Sequence, residues 1–127
     1  MINNFLIINC IGQDDKLGLR INKEFFIHVI KKENRMNETL VSEVLEFLLQ
    51  HKVKIDQNFS VIVNQGPGSF SGVRIALAVA KGLEISNKIK LFGFRNTDLK
   101  QFDQENIEEL LKKKLVEKKL IKPIYLS

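Results

Sequence analysis

Val63-Asn64-Gln65-Gly66-Pro67-Gly68-Ser69-Phe70-Ser71-Gly72-Val73-Arg74-Ile75 carries the chain from an apolar run, through three glycines and a proline, into a long apolar stretch. Phe59 to Val63 reads as a buried strand. A helix starts at about Phe70 or Ser71 and continues through Leu83, and Leu91 to Phe94 forms the next strand. Strand, helix and strand in this order predict a right-handed parallel crossover, the unit of an α/β sheet.

Toward the N-terminus, Phe5-Leu6-Ile7-Ile8 is continuously apolar, as expected of a central strand covered on both faces. A turn at Gly12 to Asp15 leads to Leu17, Leu19 and Ile21, which alternate with Lys16, Gly18 and Arg20 in the pattern of a half-exposed strand. A turn at Asn22-Lys23 opens a third strand, Glu24 to Ile30, so the first three strands predict an antiparallel meander. Asn34 or Asn37 can cap the next helix by accepting a bond from a first-turn amide. Leu40, Val41, Val44, Leu45, Leu48 and Leu49 then recur at helical spacing, giving an amphipathic helix from Asn37 to about Lys52.

Toward the C-terminus, Glu105 to Lys119 reads as a charged helix built on Ile107, Leu110, Leu111, Leu115 and Val116, with Glu108–Lys112 and Glu109–Lys113 pairs at the favourable spacing. Pro123 stops it, and Ile124-Tyr125-Leu126 reads as a terminal strand or docked tail. The expected organisation is one domain over residues 1–96, followed by a charged helix and tail over 97–127.

The chain has 127 residues, 44% of them apolar and 28% charged, enough for one core and too few for two. No run approaches the roughly 20 apolar residues of a membrane helix, and no leader pattern opens the sequence, so a cytoplasmic location is expected. Cys10 is the single cysteine, which excludes an internal disulfide, and it reads as a buried inert thiol. His28 and His51 lie in no metal-binding spacing and read as structural or surface residues. The net charge of +5 suits an RNA or an acidic protein partner. Lys112, Lys113, Lys114, Lys118 and Lys119 are candidates for RNA contact, but the interleaved glutamates favour a solvated helix face.

A glycine-rich turn at a helix N-terminus presents amides that suit an anion. Here Gly72 is followed by Val73-Arg74 rather than the Lys-Ser/Thr of a Walker loop, and a dinucleotide fingerprint needs glycine where Ser71 stands. Spacing alone therefore ranks a tight structural turn ahead of an anion site, with Arg74 or Lys81 as phosphate partners in the second reading. The helix itself is apolar around most of its circumference between Val73 and Leu83, and Gly72, Ala76 and Ala80 line one face at four-residue spacing. The expectation is that the first helix covers part of it and a helix of another subunit the rest.

The stretch Gly66-Pro67-Gly68-Ser69-Phe70-Ser71-Gly72-Val73-Arg74, continued by Ala80-Lys81-Gly82-Leu83, resembles the signature of the TsaB (YeaZ) family, and Pro123-Ile124-Tyr125-Leu126 resembles its closing segment. The resemblance implies a ribonuclease H-like (actin/Hsp70-like) domain with a mixed five-stranded sheet, strands one to three antiparallel, and helices on its faces. It further implies a shortened family member in which residues 97–127 are what is left of a second domain.

Functionally, the resemblance implies a non-catalytic subunit that binds a TsaD-type catalytic subunit, and works with a TsaE-type ATPase, to threonylcarbamoylate the adenosine beside the anticodon of tRNA. Contact with tRNA would be indirect, and the chain alone would form a homodimer. The implied partner interface uses Leu40, Val41, Val44, Leu48, Val73, Ala76, Leu77 and Ala80. The loop residues Gly66, Pro67, Gly68, Ser69, Phe70, Ser71 and Gly72, with Arg74, are the candidates for anion or nucleotide contact. No catalytic residue, metal ligand or cofactor of the chain alone is expected, ATP being placed at a subunit interface. Superfamily members often carry an acid at the end of the first strand, where this chain has Asn9-Cys10, and the catalytic relatives hold paired histidines near the position of Met36-Asn37. The alternative is a nucleotide-binding switch using the Gly66–Gly72 loop.

Overall fold

A computed structural model describes residues 2–31, 39–68, 70–118 and 121–124, with only the backbone of Thr39 and Phe70. In chain order the elements are β1 (Phe5–Asn9), β2 (Asp14–Ile21), β3 (Glu24–Lys31), α1 (Thr39–Gln50), β4 (Ser60–Asn64), α2 (Phe70–Asn87), β5 (Lys90–Phe94), a 3-10 turn (Asn96–Asp98) and α3 (Gln104–Lys112). The sheet runs β3-β2-β1-β4-β5. β1, β2 and β3 pair antiparallel, while β4 pairs parallel with both β1 and β5. The expected meander and parallel crossover are both present. The proposed caps Asn34 and Asn37 and the Ile124–Leu126 strand beyond Ile124 lie outside the described residues.

An apolar layer forms on each face of the sheet because β1 and β4 are apolar except at Asn9, Ser60 and Asn64, and a strand points alternate side chains to opposite faces. Leu6, Ile8, Val61 and Val63 join Leu40, Val44 and Leu48 of α1 and Val73, Ala76, Leu77, Ala80 and Leu83 of α2 on one face. Phe5, Ile7, Ile62 and Phe94 meet Ile107 and Leu110 of α3 on the other. The segment after residue 96 is thus the second covering layer of the same sheet.

Two helix lengths depart from expectation. α2 continues four residues beyond Leu83, to Asn87, because Glu84-Ile85-Ser86 contains nothing that opposes a helix. α3 is shorter than expected: Asp103 caps its start by accepting from the Asn106 amide at 2.8 Å, and it ends at Lys112, followed by Lys114 at φ 57°. The chain then returns to the sheet, where Glu117 and Gly93 exchange backbone bonds of 2.7 Å.

Lys113 pairs with Glu109 at 3.7 Å as expected, but Glu108 turns to Arg20 of β2 rather than to Lys112. Both histidines bind α1 to β3. His28 pairs with Glu43 at 2.7 Å and stacks on Phe47, while His51 lies against Phe26 with ring centroids 4.1 Å apart.

Candidate functional site

The Gly66–Gly72 loop begins where β4 ends and closes over the carboxyl end of β1. Each of its glycines meets a neighbour at close range. Gly66 adopts φ +94°, a conformation side chains disfavour, and precedes a cis bond to Pro67. A Cβ on Gly68 would lie 2.8 Å from Ile11 Cγ2, and one on Gly72 would lie 2.2 Å from the Cys10 carbonyl oxygen. Gly72 therefore lets α2 start directly against the chain just past β1.

Below the loop, three asparagines form one network across the carboxyl ends of the three parallel strands. The Asn64 amide nitrogen donates to Asn9 Oδ1 at 2.9 Å and to Asn96 Oδ1 at 3.0 Å. Asn64 Oδ1 accepts from the Gly66 amide at 2.9 Å, and Asn9 Oδ1 also accepts from the Ile11 amide. Asn64 is buried, so these bonds replace the water it has lost. Gln65 extends the tie: its backbone bonds Phe94 and Ile124, its side-chain amide donates to the Lys122 carbonyl at 2.9 Å, and it packs over Gly93.

Carboxyl ends of parallel strands are where open α/β sheets bind ligands. The network placed there is neutral, and three amides offer neither an acid nor a base of useful strength. Among the described residues no group of three or more His, Cys, Asp or Glu side chains could hold a metal ion. Asn9 was visible in the sequence as the position lacking an acid. Asn64 lay unremarked within the signature and Asn96 was missed, although each stands at or just beyond the end of a parallel strand.

Of the remaining loop candidates, Ser71 and Arg74 are exposed on the first turns of α2, Pro67 is half-buried, and Ser69 and the Phe70 side chain lie outside the described residues. The implied partner interface requires correction. Leu40, Val44, Leu48, Val73, Ala76, Leu77 and Ala80 are all buried in the chain's own core, and Val41 alone of the eight is exposed. The small-residue face of α2 likewise turns inward, with Gly72 against β1 rather than against another helix. On α1 and α2 the exposed large apolar side chains lie beside that stripe, Val41 at 45% exposure, Leu45 at 47%, Leu49 at 78% and Ile85 at 80%, while Ile27 and Val29 are exposed on β3. Between α1 and α2 runs a groove of about 430 Å³, floored by Val44 and Leu83 and edged by Val41, Leu45, Ala78 and Gly82.

Sheet order and helix placement define a ribonuclease H-like fold. YeaZ from Pseudomonas aeruginosa superposes with a TM-score of 0.67 at 19% identity, covering 76% of this chain and 46% of that one. The RuvC structure from T. thermophilus with a Holliday junction substrate superposes with a TM-score of 0.51 at 15% identity, covering 77% and 68%. Likeness at these identities concerns the fold.

Sequence comparison is narrower. Residues 31–99 match the family model described as "TsaD: tRNA N6-adenosine threonylcarbamoyltransferase". The tRNA threonylcarbamoyladenosine biosynthesis protein TsaB of Buchnera aphidicola subsp. Baizongia pistaciae is 45% identical over 58 residues, which is 44% of this chain and 26% of that protein. Its counterpart in Buchnera aphidicola subsp. Acyrthosiphon pisum is 28% identical over 88 residues, 68% of this chain and 40% of that protein. The chain belongs to the TsaB/YeaZ family, within the group that the transferase model describes. It spans between 26% and 40% of the length of the curated relatives it matches.

Proposed function

We propose that this protein is a non-catalytic partner subunit in tRNA threonylcarbamoyladenosine formation, docking a TsaD-type catalytic subunit through the groove between α1 and α2. The observation that carries this reading is the row Val41, Leu45, Leu49 and Ile85, large apolar side chains left in water on two adjoining helices. Covering Leu49 or Ile85 would contribute on the order of 1.5 kcal/mol, and the half-covered Val41 and Leu45 roughly half as much each, so a complementary helix has a reason to settle there. The neutral asparagine network at the usual reaction edge supports an accessory role over a chemical one.

A TsaE-type ATPase is the second partner in this reading, tRNA is met through the assembly, and the chain alone pairs with itself through the same groove. The assembly is placed in the cytoplasm, and among the described residues no helix is long and apolar enough to cross a membrane. ATP is placed at a boundary between subunits. The Gly66 amide is already bonded within the chain, and Gly68 and Gly72 pack on Ile11 and Cys10, which weighs against a nucleotide switch built on this loop alone.

Light scattering on the purified chain, alone and mixed with the catalytic subunit, tests the proposal. A dimer alone and a one-to-one complex in the mixture are expected. A strict monomer that leaves the catalytic subunit's mass unchanged would remove it.

A further inference from the structure

The opposite end of the sheet carries a feature that the docking reading does not use. Ile2 to Asn4 enter β1, Asn58 and Phe59 enter β4, and Lys90 opens β5, all at the edge where the parallel strands begin. Three hollows of about 650, 350 and 190 Å³ lie along this edge. The first and second share Ile2 and Asn3, and the second and third share Asn4 and Asn58, so neighbouring hollows adjoin and make a stepped trough along this edge.

Its charge is one-sided. Arg20, Lys54, Lys90, Lys112, Lys114 and Lys118 line it, against Glu108 and Asp56. Both acids are engaged, Glu108 with Arg20 and Asp56 with Lys54. Lys90, Lys112, Lys114 and Lys118 are exposed and enter no ion pair among the described residues. Helical spacing alone would have neutralised Lys112 with Glu108, and the turn of Glu108 toward Arg20 leaves that lysine facing the trough. Between the lysines stand amide and hydroxyl groups of Asn3, Asn4, Asn58 and Ser60, and the half-buried ring of Phe92.

We infer that this trough binds a single strand of nucleic acid, its phosphates on the four lysines and a base against Phe92. Unpaired cations tracking a groove, with polar donors and an aromatic ring between them, supply both the electrostatic and the stacking parts of sequence-tolerant strand binding. An acidic polypeptide would use the lysines but has no need of the ring. The trough shares no residue with the α1/α2 groove, so either proposal can fail while the other stands.

The test is fluorescence anisotropy with a labelled oligouridine of roughly 12 nucleotides at low salt. Wild-type chain should bind with an affinity that falls as salt rises, the logarithmic slope being about −3 for four phosphate contacts. Changing Lys90, Lys112, Lys114 and Lys118 together to Gln should weaken binding at least about tenfold. The same charge change at the exposed Lys52, Arg95, Lys100 and Lys122 should weaken it much less. Because the chain has no tryptophan, Phe92→Trp provides a single reporter, expected to be quenched by the oligonucleotide. Absence of binding, equal losses in the two quadruple variants, an unquenched reporter, or polyglutamate binding as tightly as the oligonucleotide would overturn the inference.

Discussion

The α-carbon of Gly72, on the first turn of α2, lies so close to β1 that a Cβ there would stand 2.2 Å from the Cys10 carbonyl oxygen. A backbone oxygen of the buried Cys10, just past the end of a central strand, cannot give way as a side-chain tip can. Gly72→Ala should therefore destabilise the fold by about 3 kcal/mol or more, read as a lower urea midpoint. Gly82 is the internal control. It sits in the same helix with open space where a Cβ would stand, nothing lying within 4 Å, so Gly82→Ala should stabilise the chain by about 0.5–1 kcal/mol.

Asn64 can donate to both Asn9 and Asn96 because it is an amide. In Asn64→Asp the ionised carboxylate would face two acceptors, and Asn9 cannot turn its amide without losing the Ile11 bond. A loss of about 1–3 kcal/mol is expected at neutral pH. Burial and facing oxygens raise the folded-state pKa of the new acid above its unfolded value. The protonated form can donate one bond, so the deficit should shrink as pH falls through that raised pKa and be smallest below the unfolded one. Urea denaturation of both proteins across mildly acidic pH measures this, and a deficit that grows toward low pH would contradict it.

α3 is a covering layer, and removing it should expose Phe5, Ile7, Ile62 and Phe94. A chain ending at residue 96 should accordingly lose its cooperative thermal transition. Leu110→Ala, which removes one buried anchor of that layer, should cost about 2–5 kcal/mol.

Much of this architecture was legible in the residues. The unbroken apolar runs of β1 and β4 announced strands buried on both faces, and the Gly66–Gly72 turn announced a parallel crossover. The helix surfaces were harder to read. In α1, Val41 and Leu45 recur at the same spacing as Val44 and Leu48, so periodicity finds two apolar stripes and cannot say which meets the sheet. Charge pairing failed for a related reason: spacing proposes Lys112 for Glu108, while Arg20 is brought there from 88 positions away by the packing of α3 across the sheet. The Asn9–Asn64–Asn96 network is likewise long-range, joining residues that meet only once three strands lie in register.

Whether the apolar row flanking the α1/α2 groove docks a TsaD-type catalytic subunit is measured by titration calorimetry of the chain against that subunit. Leu45→Lys together with Ile85→Lys replaces two exposed apolar side chains without touching the core. The wild-type chain should bind, and the double variant should bind at least about a hundredfold more weakly while remaining a folded monomer by circular dichroism and light scattering. Equal affinity of the two proteins for the catalytic subunit would contradict it.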